Sequence, residues 1–260
     1  MIIPKFIKPE KITIKIKRQD KPESQPYWQT FELPYKPNMN LTSVLQTIAA
    51  NPVTTDGQQT SPPTYDAACL EEVCGSCTMV INGKVRQACS ALVDHIFTLE
   101  GVAPITVEPM SKFPIVRDLQ VDRTRMFENL KRIKGWVPVD GYYNLGSGPK
   151  VPPATQDEAY AYSRCMTCGC CLEACPQFTL TNAFVGAQVI GQVRYFNINP
   201  IAKNDAEARL EVVMGEGGIT DCGNAQNCVL VCPKEIPLVD AIGWVGRSTT
   251  IYSIKKFFQK

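Results

Sequence analysis

The amino-acid sequence predicts an α+β fold in two domains, a small α+β domain over residues 1–112 and an all-α domain over residues 113–260. Three observations predict this division. Strand-like alternation and a hairpin turn are confined to the first part, and helical spacing of apolar residues dominates the second. Twelve cysteines fall into groups whose spacing differs between the two parts.

The first domain begins with a strand, because residues 11–17 alternate between isoleucine and polar residues. Asn40 is predicted to cap a helix that ends before Pro52. The dipeptide Asn82-Gly83 lies between two apolar runs, which is the strongest short hairpin signal. The strands predicted for this domain are therefore 11–17, 28–33, 78–81, 84–86 and 105–107.

The second domain is predicted to be helical, with no strand. A first helix ends at Lys134 and has Met126, Phe127, Leu130 and Ile133 on one face. The stretch Val137–Pro153 is rich in Pro and Gly and is predicted to be a long connector. Further helices are predicted over 186–196, 206–214 and 238–245.

Bulk properties exclude several classes of protein. A net charge of +2 gives no electrostatic reason to expect a nucleic-acid partner. No apolar run approaches the roughly 20 residues that span a bilayer, and the lysine-rich start does not resemble a secretory signal. We therefore expect a reducing compartment, where grouped cysteines bind metal rather than form disulfides.

The first cysteine group has the spacing C-x4-C-x2-C-x11-C, which is typical of plant-type [2Fe–2S] sites. Gly75 and Ser76 are small, so backbone N–H groups can turn toward the sulfurs. A Rieske centre needs two histidines and is excluded, because His95 is the only histidine. The prediction is a plant-type ferredoxin (β-grasp) domain whose [2Fe–2S] ligands are Cys69, Cys74, Cys77 and Cys89.

The later cysteines have the spacing of bacterial two-cluster ferredoxins, C-x2-C-x2-C-x3-C-P, in which the fourth cysteine binds the other cluster. In the last group Ala225 takes the place of the second thiolate. Three thiolates without a fourth ligand suit a [3Fe–4S] cluster. A bacterial ferredoxin-like domain is thus predicted, with [4Fe–4S] ligands Cys165, Cys168, Cys171 and Cys232 and [3Fe–4S] ligands Cys175, Cys222 and Cys228.

The remaining cysteine, Cys170, breaks the spacing and is predicted to lie beside a cluster as a non-ligand. Structural zinc is the alternative, but zinc sites use paired C-x2-C knuckles rather than interleaved triplets ending in Cys-Pro. The sequence has no Gly-rich dinucleotide loop and no Ser/His/Asp arrangement, so no catalytic residue is predicted. The chain is expected to carry electrons between partners, either as a permanent subunit or, alternatively, as a soluble multi-cluster carrier.

The order of these motifs resembles the iron–sulfur subunit of succinate dehydrogenase and its close relative in fumarate reductase. The resemblance implies a relay from the FAD of a flavoprotein partner, through [2Fe–2S], [4Fe–4S] and [3Fe–4S], to quinone at a membrane anchor with or without haem b. A quinol:fumarate reductase would run the same relay in reverse. The segments that carry the resemblance are LEEVCGSC (70–77), FPIVRDLQVDR (113–123), CMTCGCCLEACP (165–176) and DCGNAQNCVLVCPKEIP (221–237).

Departures from the family pattern concern the quinone. Ubiquinone-reducing members have tryptophans shortly after the Cys-Pro and a histidine after the first cysteine of the last group, whereas this chain has residues 177–180 (QFTL) and Gly223 there. The resemblance therefore favours menaquinone, with Pro176 and Gln177 as contacts. It also implies a peripheral protein on the cytoplasmic face of the bacterial plasma membrane. The terminal SIKKFFQK (253–260) is predicted either to rest against the anchor or lipid headgroups, or to be an ordinary helix end.

Overall fold

In a computed structural model the chain forms two units, and the division falls between Asp122 and Arg123. The structure describes residues 9–101, 103–138 and 149–259. The first unit combines a sheet with helices, and the described part of the second is helical apart from turns and loops. The predicted α+β fold class is therefore confirmed.

The first unit is built on a five-stranded sheet in the order β2-β1-β5-β3-β4. Strands β1 and β5 are parallel and the other neighbours are antiparallel. Helices α1 and α2 belong to the same unit, and α1 contributes to its apolar core, as in a β-grasp domain. The elements are β1 (Lys11–Arg18), β2 (Tyr27–Pro34), α1 (Leu41–Ala50), β3 (Thr78–Ile81), β4 (Lys84–Gln87), α2 (Val93–Glu100) and β5 (Ile105–Glu108).

Local sequence explains the start of this unit. Ile12, Ile14 and Ile16 of β1 are buried in the core, as their alternation predicted. Asn40 caps α1, because its side-chain oxygen accepts from the Ser43 N–H at 2.9 Å while the Ser43 hydroxyl accepts from the Asn40 N–H at 3.1 Å. The capping box therefore fixes where α1 begins.

The hairpin β3–β4 turns at Asn82-Gly83, as predicted. The φ angles of the two residues are 48° and 74°, and two consecutive positive φ angles are what a type I′ turn requires. Thr78 pairs with Gln87 at the far end of the hairpin. The cysteine that precedes β3 and the one that follows β4 are thereby brought to the same end of the sheet.

A second hairpin, β6 (Ile115–Arg117) and β7 (Gln120–Val121), follows the predicted boundary at residue 112 and lies within the first unit. It belongs to the first unit, because the Arg18 guanidinium donates to the Asp118 carboxylate at 2.8 Å and both side chains are fully buried. Strands of three and two residues are too short to show alternation, so the sequence predicted none here.

The second unit contains the helices α3 to α9. Helix α4 was not predicted, since its sequence has little apolar periodicity, and α9 continues well beyond the predicted end at Val245. The predicted connector over 137–153 lies mostly outside the described residues. The helices are α3 (Thr124–Arg132), α4 (Pro153–Ser163), α5 (Cys170–Glu173), α6 (Gly186–Ile198), α7 (Ala206–Met214), α8 (Asn227–Leu230) and α9 (Leu238–Phe258), with 3₁₀ turns at Ala202–Asp205 and Ile219–Asp221.

Helix α6 is central to this unit and packs against α5 and α9. Gly186 begins α6 with a φ of 80°, and a Cβ built there would lie 2.1 Å from Leu172 Cδ2. Only glycine therefore allows the first turn of α6 to lie this close to α5.

Helix α3 differs from its prediction in one residue. The sequence predicted that Phe127 shares a buried face with Met126, but Phe127 is 52% exposed whereas Met126 is buried. Among the described helices, none combines the length and the apolar character that a membrane crossing requires.

Candidate iron–sulfur sites

The loop that begins at Cys69 directs five backbone N–H groups at two cysteine sulfurs. Cys69 Sγ accepts from the N–H groups of Glu71, Val73 and Cys74 at 3.5, 3.3 and 3.3 Å. Cys74 Sγ accepts from the N–H groups of Cys69 and Ser76, both at 3.5 Å. Charge-assisted hydrogen bonds of this kind favour an anionic sulfur, so the loop fits thiolates that ligate iron.

The backbone of this loop is left-handed at three positions. Leu70, Glu72 and Gly75 have φ angles of 61°, 58° and 71°. For a residue other than glycine this conformation costs about 1–2 kcal/mol. The hydrogen bonds from the inward-turned N–H groups to the sulfurs offset that cost. The third position is Gly75, and glycine adopts this conformation without strain.

The other two cysteines of the first group are held by the β3–β4 hairpin. Cys77 directly precedes β3. The N–H of Ala88, the residue that follows β4, donates to the Cys77 carbonyl at 3.0 Å. Cys89 comes two residues after the end of β4. Both side chains are buried, and burial together with a hydrogen bond involving Cys77 raises the pKa of the Cys89 thiol to about 11.

The pKa of Cys74 moves in the opposite direction. Burial raises the pKa of this thiol, but hydrogen bonds from the Ser76 side chain and from the backbone N–H groups of Cys69 and Ser76 outweigh burial and lower it to about 6. The thiolate form is therefore favoured at Cys74 and disfavoured at Cys89.

In the second unit, neighbouring cysteine sulfurs repel one another electrostatically. Burial raises the pKa of Cys171 well above its usual value, and repulsion from Cys168, Cys165 and Cys232 adds to the rise. Burial also raises the pKa of Cys165, with repulsion from Cys168 and Cys232. Cys171, Cys168, Cys165 and Cys232 are the predicted [4Fe–4S] ligands, and a smaller repulsion reaches Cys171 from Cys228, a predicted [3Fe–4S] ligand.

The remaining three predicted ligands line one small cavity. Cys175, Cys222 and Cys228 share it with Ala225, and the two predicted quinone contacts also line it. Burial raises the pKa of Cys228, and the nearby Cys175 and Cys222 sulfurs contribute to the rise. Adjacent to this cavity, Cys175 Sγ donates to Gln177 Oε1 at 3.8 Å.

Three further side chains act on the sulfurs, and one of them is Cys170, which the spacing predicted to lie beside a cluster. The buried Cys170 side chain hydrogen-bonds Cys168 and is the largest cause of a lowered pKa of about 7 for that thiol. Arg123 lies close enough to Cys168 to stabilise its thiolate, and the Gln192 side chain hydrogen-bonds Cys165. The contacts of Arg123 and Gln192 depend on how α6 and the residue before α3 pack against the cysteine loops, so spacing alone could not have predicted these two.

The donor set as a whole fits iron–sulfur clusters, because it consists of thiols, several of them buried and supplied with N–H donors. Ile236 in the last group likewise donates its N–H to Cys232 Sγ at 3.5 Å. Within residues 9–101, 103–138 and 149–259, no three His, Cys, Asp or Glu side chains converge as the ligands of a single metal ion would.

Comparisons with known proteins agree with the two kinds of site. Residues 13–128 match the 2Fe-2S iron-sulfur cluster binding domain, and residues 161–236 match the 4Fe-4S dicluster domain. One chain of the Mycobacterium smegmatis Sdh1 complex in the apo form has a similar fold, with a TM-score of 0.74 at 19% identity, covering 92% of this chain and 95% of that one.

Two curated relatives extend over nearly the whole chain. The succinate dehydrogenase iron-sulfur subunit of Bacillus subtilis is 51% identical over 243 residues, covering 94% of each protein. The fumarate reductase iron-sulfur subunit of Wolinella succinogenes is 29% identical over 242 residues, covering 91% of this chain and 96% of that protein. The resemblance inferred from the motifs is thereby confirmed, and the chain belongs to the family of iron–sulfur subunits of succinate dehydrogenase and fumarate reductase.

Proposed function

We propose that this chain is the electron-transfer subunit of a succinate dehydrogenase, carrying electrons from the FAD of a flavoprotein subunit to quinone at a membrane anchor. When bound, each cluster accepts and releases one electron at a time. The dicarboxylate site lies on the flavoprotein partner, so this chain's residues hold and shield the clusters rather than bind succinate. The observation that carries the proposal is the Ala225 gap in a cavity that also has three cysteines on its wall.

The proposed ligand sets follow the spacing, and the grouping of the sulfurs supports them. The five N–H···S hydrogen bonds support an anionic [2Fe–2S] site. The repulsion of Cys171 by Cys168, Cys165 and Cys232, each larger than that by Cys228, supports the [4Fe–4S] site. The sets are Cys69, Cys74, Cys77 and Cys89 for [2Fe–2S], Cys165, Cys168, Cys171 and Cys232 for [4Fe–4S], and Cys175, Cys222 and Cys228 for [3Fe–4S].

The quinone is proposed to bind beside the [3Fe–4S] site, with contacts from Pro176 and Gln177. Both residues line the cavity of Cys175, Cys222 and Cys228, which supports a short path from that cluster to a bound quinone. Gly223 supplies no side chain there, so the Gln177 amide is the polar group that approaches position 223. Menaquinone is the proposed quinone, and extraction of ubiquinone alone from the purified complex would contradict it.

The membrane anchor is proposed to cover the end of the second unit that carries α9. Phe257 and Phe258 are 75% and 80% exposed at the end of this helix, and Lys255 and Lys256 lie beside them. Exposed aromatic residues next to lysines suit contact with an anchor subunit or with anionic headgroups. The chain would then be a peripheral protein on the cytoplasmic face of the bacterial plasma membrane.

Oxidation of succinate is the proposed direction, because a succinate dehydrogenase subunit is 51% identical to this chain, whereas several relatives named for fumarate reductase are 29–30% identical. Fumarate reduction by the same relay is the second candidate. Comparing succinate:quinone and quinol:fumarate turnover of the purified complex separates the two.

Low-temperature EPR of the complex tests the relay itself. We expect a near-isotropic [3Fe–4S] signal from the oxidised enzyme and a [2Fe–2S] signal after reduction with succinate. A single 28.8 kDa chain eluting free of partners from a mild detergent extract would instead favour a soluble carrier, and cluster-free protein containing zinc would contradict the proposal altogether.

A further inference from the structure

Helix α6 carries a buried amide that has no hydrogen-bond partner in the part of the chain that the structure describes. Gln188 is 2% exposed, and neither its side-chain nitrogen nor its side-chain oxygen is hydrogen-bonded. Buried amides are almost always paired, because losing water without a replacement partner costs their full desolvation. An unpaired one therefore points to a group that this structure does not contain.

The position of Gln188 suggests which group that is. Gln188 lies in the first turn of α6. Gly186 allows this turn to pack closely against α5, and α5 contains Cys171. Gln192 follows four residues later and so shares the same face of the helix. Gln192 already hydrogen-bonds the Cys165 sulfur, so this face of α6 is directed toward the proposed [4Fe–4S] ligands.

The neighbouring residue provides a contrast. Ala187 lines the cavity of the other three cysteines, and consecutive helical residues point about 100° apart. The two side chains therefore point in different directions. Ala187 faces the proposed [3Fe–4S] ligands, and Gln188 lies on the face of the helix that it shares with Gln192.

We propose that the Gln188 side-chain N–H donates a hydrogen bond to a sulfur of the [4Fe–4S] cluster, and that Gln188 and Gln192 together raise the reduction potential of that cluster. This inference rests on the cluster assignment of the proposed function. The reduced cluster carries one more negative charge than the oxidised one, so a donor to its sulfur stabilises the reduced form more strongly. Gln188 is thus a positioning and tuning residue that never contacts a substrate.

The test is an EPR-monitored redox titration of the assembled complex with Gln188→Met, which keeps the length of the side chain and removes the donor. We expect reduction of the [4Fe–4S] cluster to become about tenfold less favourable, a fall in midpoint potential of about 59 mV for one electron. Gln192→Met should shift the same potential in the same direction. The [2Fe–2S] potential should not change, since its proposed ligands all belong to the other unit.

Thr249→Val is the matched control, because it removes a buried hydroxyl whose partner is the Gly246 carbonyl of the same helix. The midpoint potential of the [4Fe–4S] cluster should not change in this variant. An unchanged [4Fe–4S] potential in Gln188→Met, or a change confined to the [3Fe–4S] potential, would overturn the inference while leaving the proposed function intact. Absence of the [4Fe–4S] signal from the unmodified complex would instead remove the proposed function.

A second measurement needs no variant at position 188. Glutamine labelled with ¹⁵N in the side chain gives hyperfine couplings to a reduced cluster when its N–H is hydrogen-bonded to a cluster sulfur. Pulsed EPR of the labelled complex should show two such nitrogens, and one of them should disappear in Gln192→Met. A single coupled nitrogen, lost in Gln192→Met, would contradict the role of Gln188.

Discussion

A Cβ built on Gly223 would lie 2.5 Å from the side-chain nitrogen of Gln177, so the Gln177 amide occupies the space that any larger residue at position 223 would need. The same amide accepts from Cys175 Sγ. Gly223 directly follows Cys222, so the Gln177 side chain contacts one proposed [3Fe–4S] ligand and lies against the residue next to another. It is well placed to respond to both the cluster and a quinone.

Gly223→Ala should therefore displace Gln177 and reduce quinone turnover. The contact is with the end of a flexible side chain, so we expect the variant to fold and keep its clusters. Succinate:quinone activity should fall several-fold while succinate oxidation with an artificial acceptor stays near normal. Gly246→Ala is the control, because a Cβ there meets no atom within 4 Å. Equal loss of both activities in Gly223→Ala would contradict a role in the quinone site.

Cys170→Ala should retain the [4Fe–4S] cluster, because Cys170 is proposed to act on the Cys168 sulfur rather than on iron. The hydrogen bond from Cys170 to Cys168 would be lost, so the potential of the cluster should fall modestly. Iron analysis and EPR check both outcomes. Cys171→Ala is the matched variant and should lose the cluster; the reverse pattern in the two variants would show that the ligand assignment is wrong.

Removing the Asp118 carboxylate should strongly destabilise the first unit. The Arg18 guanidinium would be left buried without its ion-pair partner, and breaking such a pair costs about 3–5 kcal/mol. The urea midpoint of Asp118→Ala should fall accordingly. Glu32→Gln breaks the exposed pair with Lys11 and should have almost no effect. Similar midpoints for the two variants would contradict the place of the β6–β7 hairpin in this unit.

Glu100 should make the stability of the first unit depend on acid pH. Burial raises the pKa of Glu100, but hydrogen bonds from Asn82, Lys84 and Arg86 outweigh it and lower the pKa to about 2. The stabilisation is complete above pH 4.5, the ordinary pKa of a glutamate side chain in the unfolded chain. It is lost as the pH falls through the folded value near 2, because protonation then breaks the ion pairs.

Glu100→Gln should accordingly lower the free energy of unfolding by about 1–3 kcal/mol at neutral pH. The difference from the unmodified chain should shrink as the pH is lowered from 4.5 toward 2. Urea unfolding at a series of pH values measures this difference. A difference that stays constant through acid pH would mean that the carboxylate is not the source of the stability.

Short-range patterns explain which parts of the fold could be predicted. Three local features could be predicted because each depends on only a few neighbouring residues. They are the alternation around Ile14, the cap at Asn40 and the Asn82-Gly83 turn. The β6–β7 hairpin could not be predicted, because it depends on the contact between Asp118 and Arg18, which are 100 residues apart. Tertiary packing likewise decides that Phe127 is exposed while its neighbour Met126 is buried.

The candidate site divides in the same way. Ligands to a cluster must come from tight loops, so their spacing along the chain reflects the geometry of the site and predicts the groups. The donors that surround the sulfurs come from other elements. In the sequence, Gln188 and Gln192 do not differ from ordinary helical residues, and only the packing of α6 against the cysteine loops distinguishes them. No local pattern predicts that Arg123 lies near Cys168.

The substitution Ala225→Cys tests the central claim most directly, because it supplies the one thiolate that the last cysteine group lacks. In oxidised unmodified enzyme we predict a near-isotropic [3Fe–4S] EPR signal. In Ala225→Cys that signal should disappear as a fourth iron is bound, whereas Ala206→Cys, which adds a thiol on α7, should retain it. Lack of the signal in unmodified enzyme, or its persistence unchanged in Ala225→Cys, would contradict the assignment of Cys175, Cys222 and Cys228.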